Sequence, residues 1–568
     1  MDSKNFQSFW CMKLIEFLAA RGFYHYFLAP GSRNTPLISA IVRHNTSRIH
    51  VGVDERSLGF MALGFAKRTR QPAIVVMTSG TAVANLYPAV AEAFESEVPL
   101  IIFSADRPYE LRDCGSNQTI NQVGMFANHI KKSLDLAPPS VQMPWEAPIK
   151  LVERAISNAL LVVQGPVHCN FQFREPLNNC ENSWEERTFS DFITSENSLS
   201  LSAQNSVWNA HDLAELMQQK RGLIVVGGMH PATEQESILS LAERTGWPIY
   251  ADILSNLRLV NHPQILHHFD VMLMNSHFTS EIRFDAIIKF GGRLVSKRFW
   301  QWLAEARIDV LLSANASSKN LDASSMFSEV PWSSVQQLFE KEDFVPSKID
   351  GVQTGLEAQP KLKQVIGNFM ETASVSEAFY ATRLCRLISR PCNLFVSSSM
   401  PIRYLDFFAA PTEADIHVYS NRGVSGIDGI LSSAAGMAVE SDRANMVLIG
   451  DLAFIHDTNG LMLLAASAAP VLVVVINNFS GGIFHFLPIG QEADVISPFL
   501  TTPHQVDIGK LCEAHHLEYE KLNTPKQFDE AVKNYLVGSQ TKIIEICFDV
   551  AQNVEIQNKL YREIKELC

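Results

Sequence analysis

The sequence predicts an α/β protein of three domains, with mostly parallel sheets covered by helices on both faces. Three observations carry that prediction. Within residues 22–108, strand-forming runs alternate with polar loops and helical patterns at a spacing of about 25 residues, the rhythm of repeated βα units. A polar stretch at 178–206, rich in Ser, Asn and Glu, then reads as a linker to a second α/β region. Near the C-terminus two apolar runs, 446–449 and 471–476, each stop abruptly in polar residues, as buried parallel strands do at the ligand edge of an open sheet.

The first domain spans 1–180. Its strand 22–28 leads into Ala29-Pro30-Gly31-Ser32-Arg33, and 49–53 leads into Asp54-Glu55-Arg56 and a helix at 58–67. The strand 73–77 leads into Thr78-Ser79-Gly80-Thr81 and a small-residue helix at 82–93, and 100–103 leads into Asp106-Arg107-Pro108. Right-handed crossovers put all of these loops on one sheet edge, so Ser32, Arg33, Glu55, Ser79 and Arg107 are expected to converge. The central domain, 207–340, has strands at 222–226, 248–251, 285–290 and 308–313. Its Gly227-Gly228 and Gly291-Gly292 pairs suit phosphate loops or, more ordinarily, tight turns. Lys297-Arg298 follows a strand end, where a solvated surface pair is the ordinary reading. A charged, Gly- and Pro-bearing stretch at 340–363 leads into the last domain, 370–568. This has strands at 393–396, 417–419, 446–449, 471–476 and 542–546, so that two similar units flank a third.

Composition narrows the function classes. A chain of 568 residues is too long for one core, and 46% hydrophobic with 19% charged residues is ordinary for a globular protein. A formal net charge of -13 argues against a general nucleic-acid or acidic-membrane surface, while leaving room for local clusters of arginine. The apolar runs fall far short of the roughly 20 residues a membrane span needs, so no span is expected. The N-terminus lacks the basic and apolar regions of a secretory signal. Nine cysteines without a Cys-x-x-Cys pair suit neither a zinc ribbon nor a disulfide framework, which makes a reducing cytoplasm the expected compartment.

The chemistry is carried by the strand ends. Gly450-Asp451-Leu452 closes one late run and Asn477-Asn478 closes the next. A carboxylate and an amide oxygen are hard ligands that suit Mg²⁺ together with phosphate and water. Alone, Asp451 reads as a helix cap and Asn478 as a turn residue. The paired strands reverse that preference. Six cations, Arg33, Arg107, Lys297, Arg298, Arg403 and Arg422, lie on or beside predicted strand-end loops, and together they leave room for anionic small substrates.

Together these stretches resemble the thiamine diphosphate-dependent enzymes, with Gly-Asp-x…Asn-Asn as the metal–diphosphate motif and Glu55 as the activating glutamate. Ala29–Arg33, Asp54–Arg56, Thr78–Pro88, Ala105–Pro108, Cys114–Gln118, Ser420–Gly429 and Gly482–Phe484 with Leu487-Pro488 are similar to the branch of menaquinone biosynthesis. The resemblance implies an order of pyrimidine-binding, middle and diphosphate-binding domains. It implies decarboxylation of 2-oxoglutarate and 1,4-addition of the succinyl carbanion equivalent to isochorismate. By the same resemblance Asp451, Asn478 and the Ser480 carbonyl hold Mg²⁺ or Mn²⁺. Glu55, Ser399, Ile427, Gly450, Asp451, Leu452 and Asn478 meet the cofactor. Arg403, Arg422 and Ser399 serve 2-oxoglutarate, and Ser32, Arg33, Arg107, Asn117, Gln118 and Lys297, supported by Arg298, serve isochorismate. Ile483, Phe484 and Leu487 form a water-excluding wall. Catalytic roles fall to Glu55, Arg33, Arg107, Gln118, Arg403 and Arg422. A homodimer or homotetramer with inter-subunit active sites is implied.

Phe479 and Ser480 stand where that family has Asn and Gly, a change that matters if Ser480 needs a positive φ. The alternative is another thiamine diphosphate-dependent 2-oxo acid carboligase or decarboxylase. A nucleotide-binding Rossmann protein would want Gly-x-Gly-x-x-Gly or Gly-x-x-x-x-Gly-Lys-Ser/Thr, and neither occurs. A catalytically dead homologue would have no need of Glu55, Asp451 and Asn478.

Overall fold

The computed structural model describes residues 3–140, 142–143, 145–161, 163–177, 209–231, 234–314, 327–340, 359–373, 375–487, 490, 496–538 and 540–567. The predicted linker at 178–206, Pro488 and most of 340–363 lie outside them. The chain forms two compact units, Met1–Val207 and Trp208–Cys568.

The first unit is built on β1 (His25–Leu28), β2 (Arg48–Val51), β3 (Ala73–Met77), β4 (Leu100–Asp106), β5 (Lys132–Leu136) and β6 (Val167–Gln172). They form one parallel sheet in the order β2-β1-β3-β4-β6-β5. β3 and β4 are buried along their whole length, as central strands sandwiched between helices must be. The expected helix at 82–93 is broken into Thr81–Ala84 and Tyr87–Glu95. Pro88 is the cause. In a continuous helix its ring would meet the Ala84 carbonyl, whereas in the first turn of a new helix its missing N–H costs nothing. The break leaves Asn85 outside both helices, beside Glu55.

The second unit carries two parallel sheets. β7 (Gly222–Val226), β8 (Ile249–Ala251), β9 (Ala286–Phe290), β10 (Val310–Ala314) and β11 (Ser328–Val330) run in the order β11-β10-β9-β7-β8. β12 (Cys392–Val396), β13 (Ile416–Tyr419), β14 (Ala444–Gly450), β15 (Leu472–Asn477), β16 (Glu518–Leu522) and β17 (Lys542–Cys547) run in the order β13-β12-β14-β15-β17-β16. That is the strand order of the first sheet again, and the expected similarity of the first and last domains is met at the level of topology. One buried apolar cluster, including Tyr250, Phe269 and Phe299 with Tyr404, Phe407 and Leu405, joins the two sheets of this unit.

The glycine pairs of the central sheet serve backbone packing. A Cβ on Gly227 would lie 2.2 Å from the Gly292 carbonyl oxygen, so the two turns close on each other. Buried acids line the same junction. Asp406 Oδ1 accepts from the Ile253 amide at 2.9 Å, its Oδ2 is buried without a partner, and Asp252 accepts from Leu254 and Val295. Burial raises both carboxyls, Asp252 to about 6 and Asp406 well above the usual range, each reinforced by neighbouring carboxylates. Their folded values exceed the unfolded value of about 4, so their contribution to stability is full below that pH and lost as pH rises through about 6 and beyond. Asp406→Asn should flatten that slope, read from urea midpoints of the cofactor-free protein between pH 5 and 8. An unchanged slope would remove the pair from the account.

Candidate active site

In the first unit the loops after β1, β2, β3 and β4 share one edge, as the crossover rule requires. Arg33 is 5% exposed; its Nη1 donates to the Phe173 carbonyl at 3.0 Å and its Nη2 to Glu175 at 3.1 Å, while Nε is buried without a partner. Burial lowers its pKa and the nearby charge of Arg107 lowers it further. Two guanidiniums close enough to disfavour each other's charge suit an anionic ligand. Arg107 donates to the Asn117 carbonyl at 2.5 Å. Gln118 Nε2 donates to the Ser79 carbonyl at 3.0 Å, and Ser79 Oγ returns a bond to the Gln118 carbonyl at 2.9 Å. Arg33, Ser79, Arg107, Asn117 and Gln118 thus form one connected patch, with Ser32 exposed beside Arg33.

Glu55 opens the helix Glu55–Thr69, but Asp54 caps it, its Oδ1 accepting from the Arg56 amide at 2.9 Å and the Ser57 amide at 3.4 Å. The Glu55 carboxylate instead accepts from Asn85 Nδ2 at 3.2 Å. Beneath the patch, buried Asp106 is held by Asn170 at 2.8 Å and Arg112 at 2.8 Å, and Arg112 also grips Asp135. Sequence reading passed over this support. Its one signal was polar residues, His168, Asn170 and Gln172, alternating with apolar ones in the wholly buried strand Val167–Gln172.

In the second unit β14 ends at Gly450 and the helix Asp451–His456 starts at once. β15 ends at Asn477, with Asn478 next. β14 and β15 are hydrogen-bonded neighbours, so Asp451 and Asn478 emerge side by side. Asp451 Oδ2 and Asn478 Oδ1 both accept from the Ser480 amide, each at 3.0 Å. Two oxygens of different side chains converge on one point, and Asp451 is 3% exposed. Burial raises its carboxyl, the condition that a bound cation reverses, so these donors fit a hard divalent ion. The Ser480 carbonyl, the third expected donor, accepts from the Gly482 amide at 3.0 Å and keeps a second lone pair. Positive φ falls on Phe479 (59°) and not on Ser480, so the departure that carries backbone cost is the phenylalanine.

Arg403 lies in the helix Met400–Phe408 and donates to the Ser399 carbonyl at 2.5 Å. Burial lowers its pKa and the charge of Arg422 lowers it further. Ser399 has φ 72° and ψ -132°, a conformation that side chains rarely adopt and that clusters at ligand sites. Ile427 and the 3₁₀ turn Gly482–Phe486 with Ile483 and Phe484 are half-buried, while Leu487 is exposed. Lys297 precedes the helix Arg298–Glu305. Arg298 is taken up by an ion pair with buried Asp270 and lies over the rings of Phe407 and Tyr561, at 4.6 and 5.8 Å. Its charge reaches Arg403.

Further residues at this edge were not legible in the sequence. His504 Nε2 lies 3.2 Å from Asp451 Oδ2, and its ring packs 5.9 Å from that of Phe479. Glu377, 3% exposed, accepts from Asn478 Nδ2 at 2.8 Å and from the Tyr404 hydroxyl at 3.0 Å. Burial pushes its carboxyl up to about 7 against the pull of those bonds. The expectation that the chain has no adjacent His-His pair of the decarboxylase kind needs correcting to this extent, that it holds two adjacent pairs, His267-His268 and His515-His516. His267 and His268 sit on the carbonyls of Arg258 and Phe407, each at 3.0 Å, and burial lowers both to about 3. His515 and His516 follow the helix Ile508–Ala514.

Three family models match the chain: the thiamine pyrophosphate enzyme N-terminal TPP binding domain at 12–125, the middle domain of thiamine pyrophosphate at 183–396, and the C-terminal TPP binding domain at 408–546. A 2-succinyl-5-enolpyruvyl-6-hydroxy-3-cyclohexene-1-carboxylate synthase from Bacillus cytotoxicus is 33% identical, covering 99% of this chain and 98% of its own. Its namesake from Chlorobium limicola is also 33% identical, with 100% and 99% covered. Among solved structures, benzoylformate decarboxylase from Polynucleobacter necessarius superposes with a TM-score of 0.71 at 16% identity, covering 95% of this chain and 98% of that one. At that identity the superposition shows the fold alone.

Proposed function

The chain belongs to the family of thiamine diphosphate-dependent 2-succinyl-5-enolpyruvyl-6-hydroxy-3-cyclohexene-1-carboxylate synthases, transferases of menaquinone biosynthesis, and from that membership we propose how its residues divide the work. The reaction removes CO2 from 2-oxoglutarate and adds the remaining four-carbon unit to isochorismate. Bound thiamine diphosphate supplies the electron sink that the decarboxylation and the new C–C bond require.

Asp451 and Asn478, with the Ser480 carbonyl, hold Mg²⁺ or Mn²⁺ against the diphosphate, flanked by the backbone of Gly450 and Leu452. Glu55 would hydrogen-bond the aminopyrimidine of the bound cofactor, its carboxylate holding or moving a proton there. Ile427 would give the bound cofactor an apolar contact. Arg403 and Arg422 with Ser399 take the carboxylates of 2-oxoglutarate. Arg33, Arg107, Gln118, Asn117, Ser32 and Lys297 orient isochorismate, with Arg298 in support. Ile483, Phe484 and Leu487 exclude water, whose protons would divert the reaction before the C–C bond forms. We place the domain boundaries at 1–180, 207–340 and 370–568 and the assembly as a homodimer or homotetramer. Among the described residues no helix is long and apolar enough to cross a membrane, and seven cysteines are free, which supports a reducing cytoplasm.

The observation that carries this reading is the convergence of the Asp451 and Asn478 oxygens on one amide at the sheet edge. Its test is a mixture of the protein, thiamine diphosphate, Mg²⁺, 2-oxoglutarate and isochorismate. Both substrates should be consumed with release of CO2, and omitting isochorismate should stop product formation. Turnover of pyruvate without any response to isochorismate would overturn it.

A further inference from the structure

Asn478 can serve a cation only with its amide oxygen forward, and an amide has two faces of nearly equal size. Around Asn478 one face meets the Ser480 amide at 3.0 Å, which accepts nothing, and the Ser480 hydroxyl at 3.3 Å. The other meets Glu377 Oε1, at 2.8 Å from Nδ2. With the amide reversed, its oxygen would face a carboxylate oxygen and its NH2 would face the Ser480 N–H, with only the more distant Ser480 hydroxyl left to accept. Gly482 leaves the room this arrangement needs, because a Cβ there would stand 2.6 Å from Asn478 Nδ2.

Glu377 is itself locked from behind. Its Oε2 accepts from the Tyr404 hydroxyl at 3.0 Å, and its backbone amide donates to Asn553 Oδ1 at 2.9 Å. Asn553 Nδ2 reaches the Tyr404 hydroxyl at 3.5 Å. All three residues are buried, at 3%, 0% and 1% exposure for Glu377, Tyr404 and Asn553. They come from three different helices, Glu377–Leu387, Met400–Phe408 and Val550–Lys565. Burying a carboxylate in this way is costly, and neighbouring hydrogen bonds only partly offset it. A position that needed no more than packing would be better filled by an apolar side chain.

We propose that Glu377 is a positioning residue that fixes the orientation of the Asn478 amide, presenting Oδ1 to the metal. This rests on the reading of Asn478 as a metal ligand. Glu377 touches neither metal nor substrate. It acts by taking the amide's donor, so the required property is an acceptor at Oε1.

The experiment uses the full chain with thiamine diphosphate present and substrates absent, titrated with Mn²⁺ and read by the loss of the free-ion electron paramagnetic resonance signal. Asn478→Ala should weaken Mn²⁺ binding, which tests the ligand assignment by itself. Glu377→Leu should weaken it at least tenfold. Glu377→Gln keeps an acceptor for Asn478, with the Tyr404 hydroxyl rotating to accept from the new amide, and should stay within threefold of the parent. Tyr404→Phe removes the partner behind Glu377 while leaving the bond to Asn478, and should also stay within threefold. Circular dichroism and melting curves identify any variant that fails to fold, and Glu377→Gln and Tyr404→Phe keep the test decisive if Glu377→Leu is one of them. Mn²⁺ affinity unchanged in Asn478→Ala would overturn the ligand reading. Loss in Asn478→Ala with no loss in Glu377→Leu would overturn the positioning role alone. Loss in Glu377→Gln or Tyr404→Phe as large as in Asn478→Ala would make the network a structural brace and overturn it as well.

Discussion

Asp451→Ala is expected to abolish the Mg²⁺-dependent binding of thiamine diphosphate, read as a vanished calorimetric signal. The side chain supplies the only formal negative charge among the three expected protein donors, and it sits buried beside the Asn478 oxygen on the same amide. Binding to the folded state alone stabilises it by about 2.7 kcal/mol when free ligand is at a hundredfold excess over Kd. That increment, visible as a rise in melting temperature with cofactor and Mg²⁺, should be present in the parent protein and absent in the variant. Without cofactor the variant should melt no lower than its parent, because burial holds the Asp451 carboxyl above its ordinary pKa. A folded state that disfavours the anion loses little when the anion is removed. A retained binding isotherm would sink the metal assignment for Asp451.

Glu55→Gln should separate binding from chemistry. The variant should still take up thiamine diphosphate and Mg²⁺, while turnover falls by roughly 10²–10⁴-fold, the usual range for loss of a positioned proton-transfer group. Magnitudes decide against the rival reading, in which Glu55 merely complements the helix dipole at the start of Glu55–Thr69. That term is worth about 0.3–1 kcal/mol, and the capping bonds belong to Asp54. A dipole role would give a small fall in melting temperature and near-normal turnover; the catalytic role gives the reverse. Substantial retained activity would contradict it. Asn85, held outside the helices that Pro88 separates, donates to Glu55 at 3.2 Å, and the substitution keeps an acceptor for that bond.

Central strands were legible because they are apolar on both faces. The runs around 73–77, 100–103, 446–449 and 471–476 all became buried strands of the first or last sheet. β5 (Lys-Ser-Leu-Asp-Leu), β11 (Ser-Glu-Val) and β16 (Glu-Tyr-Glu-Lys-Leu) went unread, since each lies at a sheet edge and carries charge or polarity on its open side. β6 was missed for the opposite reason, being a buried strand whose polar residues are satisfied by one another.

By itself the sequence determined the fold class, the cofactor family and the strand-end residues Glu55, Asp451 and Asn478. Those signals are local: an apolar run, its sudden end, and the few residues after it. Only the tertiary structure decided which residues support them. Glu377 lies 101 positions from Asn478 and His504 lies 53 from Asp451. No local pattern marks a buried carboxylate as the partner of a distant amide. The fold brings the two together, and the bond from half-buried Asn478 to buried Glu377 exists only in that tertiary arrangement.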